Sequence, residues 1–110
     1  MNKENLFKAI ELAVNPGQCQ YFSDGKPSCV IGQLFALEGT QENELKEFNG
    51  NSIYYLLNYA ECSTLLKYKD NYPIMLLDRL QDLWDNNLDS EEDLDERKQR
   101  MVELVDNYEE

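Results

Sequence analysis

The chain contains no histidine among its 110 residues. Ser-His-Asp and Cys-His nucleophilic machinery, His-ligated zinc and imidazole acid/base chemistry are therefore excluded, leaving carboxylates, lysines and thiols as the reactive groups. Bases are also scarce, 10 against 22 acids, for a net charge of −12. Each phosphate contact needs a basic group, so this deficit argues against nucleic acid or an anionic membrane as the direct partner. The 5 glycines are scattered, and none belongs to a GxGxxG or GxxxxGK[ST] pattern that would cradle phosphate. No stretch approaches the roughly 18 consecutive apolar residues that would span a bilayer. The amino terminus has Glu4 early and no apolar core, so a secretory leader is not expected. Cysteine is limited to Cys19, Cys29 and Cys62. An odd number with no export signal suits reduced thiols in a cytoplasm, with packing as their default role.

What is present is helical periodicity. Asn2 can cap a first helix over 3–14, in which Leu6, Phe7, Ile10, Ala13 and Val14 recur at three- and four-residue intervals. Asn15-Pro16-Gly17 stops it. Cys19 to Phe22 is β-prone, Asp24-Gly25 suits a tight turn and Pro27 limits the return strand, so a stubby hairpin is expected near residues 19–28. Ser28 is placed to cap a second helix ending at Gly39, with Val30, Ile31, Leu34, Phe35 and Leu37 as its apolar face. Gly32 lies inside that helix, at a cost of about 1 kcal/mol relative to alanine, and so predicts a close crossing with the first helix or the hairpin.

A short surface helix around Leu45 and Phe48 follows, and Ser52 then caps a helix over 53–60. Residues 61–69 could prolong it or form a separate turn. Asn71-Tyr72-Pro73 starts a strongly patterned helix carrying Ile74, Leu77, Leu80 and Trp84. Ser90-Glu91-Glu92-Asp93 resembles a capping box before a long terminal helix lined by Leu94, Met101, Val105 and Tyr108. The expectation is a single mainly α domain over 1–110, a compact bundle of five or six helices with at most a short β-hairpin.

The charge is lopsided: residues 1–70 hold nine acids and six bases, residues 71–110 thirteen and four. Six acids crowd 89–96, and those from Glu91 to Glu96 would occupy about 8 Å of helix axis. Duplex DNA carries a charge about every 1.7 Å, so the linear densities are comparable. Asp78, Asp82, Asp85 and Asp89, at spacings of three or four, would extend the patch along the preceding helix. The candidate partner-binding residues are thus Asp78, Asp82, Asp85, Asp89, Glu91, Glu92, Asp95 and Glu96, offered to a protein that itself binds nucleic acid. The plainer reading is a solvated helix start, with acids matched to the macrodipole and i,i+4 pairs Asp93–Arg97 and Glu96–Arg100. The spacing Asp85, Asn87, Asp89, Asp93, Glu96 also matches part of an EF-hand calcium loop. Ser90 and Glu92 break that match where glycine and an apolar residue belong, so no metal or other cofactor is expected.

Tyr54, Tyr55, Tyr59, Tyr68 and Tyr72 lie close in sequence. Without a basic groove they are not a base-stacking platform, and core or rim positions are their default, with an exposed Tyr54, Tyr55, Tyr59 patch as the route to self-association. No motif supplies a bond-making centre, so the chain is not expected to be an enzyme.

The stretch from Cys19 to Leu34 carries a Cys-x-Tyr opening, a Gly-x-Pro-x-Cys turn and a Val-Ile-Gly helix start. It resembles small uncharacterised proteins of bacteriophages and prophages, and Leu76 to Asp85 looks like the leucine-rich helix that often follows there. The resemblance implies a phage-type accessory protein acting in host cytoplasm on a host or defence protein. The sequence leaves its oligomeric state open.

Overall fold

In a computed structural model describing residues 1–14, 20–59, 62–85 and 94–108, Asn2 opens the first helix as its sequence requires. Its Oδ1 accepts from the amide of Asn5 at 3.0 Å, satisfying one of the unpaired first-turn donors. Helix α1 runs Lys3–Leu12, shorter than the expected 3–14. Ala13 has turned to extended backbone, and the Val14 amide donates to Ser28 O at 3.0 Å instead of continuing the helix.

The hairpin pairs β1 (Phe22–Ser23) with β2 (Lys26–Pro27) in antiparallel register, Phe22 opposite Pro27 and Ser23 opposite Lys26. Asp24 and Gly25 both take positive φ, 55° and 80°, the geometry that matches a two-residue turn to the right-handed strand twist. Helix α2 (Val30–Leu37) starts one residue later than Ser28 would set it. Cys29 is the cap, with Sγ accepting from the Gly32 amide at 3.4 Å, while the Ser28 hydroxyl lies 3.5 Å from Val14 O as its donor. Gly32 is the close crossing its position implied: a Cβ there would lie 2.1 Å from Tyr21 O. The hairpin lead-in, not the first helix, occupies that space.

The remaining helices are α3 (Glu42–Phe48), α4 (Ile53–Asn58), α5 (Ser63–Asn71), α6 (Ile74–Asp85) and α7 (Leu94–Asp106). The described residues thus hold seven helices where five or six are expected, because α5 is an element of its own. Ser52 Oγ caps α4 by accepting from Tyr55 N at 3.1 Å. Between α5 and α6, Tyr72 is extended, as the residue before a proline tends to be, and Pro73 O accepts the first α6 bond from Leu77 N.

Helix α1 packs against α2 and α7, and α6 against α4, α2 and α7, around one contiguous apolar core. At its centre the Phe35 ring stacks on Tyr68 at 3.9 Å and meets Phe48 edge-on at 6.1 Å. The Cα radius of gyration, 12.9 Å, is that of a compact chain of this length. Two side-chain amides, Asn49 half-buried and Gln81 buried, tie the hairpin to the helices. Asn49 Oδ1 accepts from the amides of Tyr21 (2.8 Å) and Phe22 (3.1 Å), and its Nδ2 donates to Phe22 O (2.9 Å), as a third strand would. Gln81 Oε1 accepts from Ile53 N at 2.6 Å while Nε2 donates to the Tyr21 hydroxyl at 2.7 Å, which in turn donates to Asn51 O at 2.7 Å. Among the described residues no helix is long and apolar enough to cross a membrane.

Candidate interaction surface

Helix α6 turns Leu76, Leu77, Leu80, Gln81 and Trp84 into the protein. The acids between them are left on its flank: Asp82 is exposed, and Asp78 and Asp85 are half-buried. Asp78 and Asp82 stand one turn apart and feel each other. Burial first, and the Asp82 charge second, push the Asp78 carboxyl above its ordinary value. Among the described residues no ion pair engages either of them. Asp95 and Glu96 are exposed in the first turn of α7, where they complement the helix dipole. Asp89, Glu91 and Glu92 lie outside the described residues. The structure therefore brings Asp78 and Asp82 together and puts Asp95 and Glu96 on the helix that packs beside theirs. The calcium spacing has Asp85 at one end and Glu96 at the other, with Asn87, Asp89 and Asp93 outside the described residues.

Three cations donate to carbonyls at helix ends. Arg97 is not the exposed partner that helical spacing implies. It is buried and donates from Nη1 to Trp84 O at 2.9 Å, closing the end of α6, and its burial holds the guanidinium below its ordinary value. Lys98 donates to Glu11 O at 2.7 Å at the end of α1, over the Trp84 ring. Burial lowers its ammonium against the pull of Asp95 and Glu11. Lys3 donates to Tyr108 O at 2.8 Å, just past the end of α7. Each cation meets the negative end of a helix, a favourable use of its charge.

The tyrosines divide. Tyr68 and Tyr72 are core: Tyr68 OH is within 2.7 Å of Thr40 Oγ1 and donates to Phe35 O at 3.2 Å, and Tyr72 OH donates to the Glu38 carboxylate. Burial raises both phenols above their ordinary value. Tyr54, Tyr55 and Tyr59 are exposed by 50%, 53% and 71%. Amphipathic spacing placed them on the flanks of the face formed by Ile53, Leu56 and Leu57, but not which flank a neighbour would cover; α5 and α6 cover neither ring of the Tyr55–Tyr59 pair, whose centroids are 5.0 Å apart. Cys29 has the expected packing role, whereas Cys62, one residue before α5, is exposed. Cys19 lies outside the described residues.

Among the described residues, clefts interrupt the surface at two places of note. One of about 120 Å³ lies over Glu38, Thr40, Glu44, Thr64 and Tyr68, whose polar groups are hydrogen-bonded to protein partners, Thr64 Oγ1 donating to Glu44 at 3.1 Å. The other, about 350 Å³, lies between Met1, Lys69, Tyr72 and Tyr108. Among the described residues no group of three or more Cys, Asp and Glu side chains is placed to hold a metal ion. In comparisons with protein-family models, curated proteins and solved structures, nothing matches the chain.

Proposed function

We propose that this is a small acidic accessory protein of phage type that binds a host protein and inhibits or modulates it. The natural target is a nucleic-acid-binding or defence protein, met through Asp78, Asp82, Asp85, Asp95 and Glu96 and through Asp89, Glu91 and Glu92 in the segment between them. The observation that supports this most is the pair Asp78 and Asp82 on the flank of α6, where the Asp82 charge adds to burial in raising the Asp78 carboxyl. A negative exterior is complementary to the basic surface such a target presents to nucleic acid. Affinity capture from bacterial lysate at two ionic strengths, with the wild type and an Asp82→Asn, Asp95→Asn, Glu96→Gln variant, tests it. Capture should fall with salt and with neutralisation, and capture indifferent to both would reject the mechanism.

The exposure of Tyr54, Tyr55 and Tyr59 favours a second reading, a self-associating module. Light scattering of the wild type and Tyr55→Ala separates the two, since only the second requires a dimer that the substitution dissolves.

A further inference from the structure

We propose that the outer face of α4 is a docking site for an arginine-bearing basic segment of a partner protein; the proposal rests on the acidic-surface reading for its long-range attraction. With Ile53, Leu56 and Leu57 turned inward, the face left outside is Tyr54, Tyr55, Asn58 and Tyr59. The Tyr55 and Tyr59 rings form a tilted pair, centroids 5.0 Å apart and planes at 39°, both within reach of one extended side chain. No charged residue belongs to α4, so these rings form a neutral aromatic island on a molecule of net charge −12.

Charge decides what covers such an island. A second copy of the chain brings another −12 and is repelled at long range, as are nucleic acid and anionic lipid. A basic partner is drawn in, and a cation arriving over a tyrosine face is held by the ring quadrupole. The protein already makes this contact internally: Lys46 sits 5.3 Å from the Phe22 centroid, Lys67 5.8 Å from Tyr68 and Lys98 5.8 Å from Trp84. Arginine fits an exposed pair of rings better than lysine, because its planar guanidinium stacks and still donates hydrogen bonds at its edge to the phenol oxygens.

The probes are an oligo-arginine and an oligo-lysine peptide of equal length and charge, each binding followed by fluorescence anisotropy at low and high salt. The arginine peptide should bind more tightly to the wild type. Tyr55→Ala with Tyr59→Ala should weaken it by ~4- to 10-fold and abolish the preference over lysine, while leaving thermal unfolding unchanged because both side chains are exposed. The Asp82→Asn, Asp95→Asn, Glu96→Gln variant should weaken both peptides alike and keep the preference. Equal, salt-sensitive binding of the two peptides, untouched by the tyrosine substitutions, would overturn the α4 site and spare the acidic reading. Failure of both peptides to bind would overturn both. A wild-type dimer that Tyr55→Ala dissolves would assign the face to a second copy and overturn the proposal.

Discussion

Replacing Gly32 by alanine isolates the closest approach in the fold. In an unobstructed helix interior, glycine to alanine gains about 1 kcal/mol from backbone entropy. Here the new Cβ would meet Tyr21 O at 2.1 Å, C at 2.8 Å and Cα at 2.9 Å, all backbone atoms with no rotamer in which to yield. Relief must come from moving α2 or the hairpin lead-in, and overpacking of this kind costs about 1–3 kcal/mol or more. Tyr21 O is also the acceptor for Ser28 N at 3.0 Å, so displacing it sacrifices a hydrogen bond of about 1 kcal/mol. The net effect should be a loss of about 1–3 kcal/mol. In urea, with a slope near 1.5 kcal/mol/M, the midpoint should drop by about 0.7–2 M. Gly39→Ala is the control: φ is +94° and nothing lies within 4 Å of its Cβ, so it should cost only the left-handed strain, about 1 kcal/mol. A Gly32→Ala protein as stable as the wild type, or more so, would refute the argument.

Gln81→Ala removes the acceptor for Ile53 N and the donor to Tyr21 OH together, and should cost about 2–4 kcal/mol in chemical denaturation, with faster hydrogen exchange at the Ile53 amide. A change below about 0.5 kcal/mol would mean water replaces the amide. Asn49→Ala strips three hydrogen bonds from the hairpin backbone and should cost about 2 kcal/mol, read in the same assay. Asp78 has a folded-state pKa raised above its ordinary 3.8, so its contribution is most favourable below that value and declines as pH rises through the raised one. Asp78→Asn should therefore raise the melting temperature at neutral pH and lose that advantage below about pH 3.8. An advantage that persists into acid would point to packing rather than charge.

Much of the fold was legible because each signal was local. Asn2 and Ser52 cap helices through the side-chain oxygens their types suggest, and Asp24-Gly25 adopts the two positive φ angles its turn demands. Pro73 marks a boundary by its own stereochemistry. The misplacements share one cause, competition from a distant partner. Ser28 looked like a cap, yet its hydroxyl is directed to Val14 O and the neighbouring thiol of Cys29 takes the role. Gly32, by contrast, announced a close contact with the first helix or the hairpin, and Tyr21 at the hairpin lead-in makes it. Asn49 and Gln81 carried no sequence signal at all, since a surface amide and a structural one are the same residue until the hairpin is folded against them.

The candidate surface follows the same division. That the exterior is negative was readable from counting; which acids share a face was readable only where one helix sets the spacing, as for Asp78 and Asp82. The i,i+4 rule pairs Arg97 with Asp93, which lies outside the described residues. What the rule does not anticipate is a guanidinium at 2% exposure bonded to Trp84 O, at the end of another helix. That contact has a physical basis. An exposed i,i+4 pair is worth only about 0.3–0.5 kcal/mol, whereas an unpaired carbonyl at a buried helix end costs about 1–3 kcal/mol. Lys3 and Lys98 make the same kind of contact, each donating to a carbonyl at or just past the carboxyl end of a helix, where the dipole favours a cation. The negative character of the surface has a separate origin, the excess of 22 acids over 10 bases.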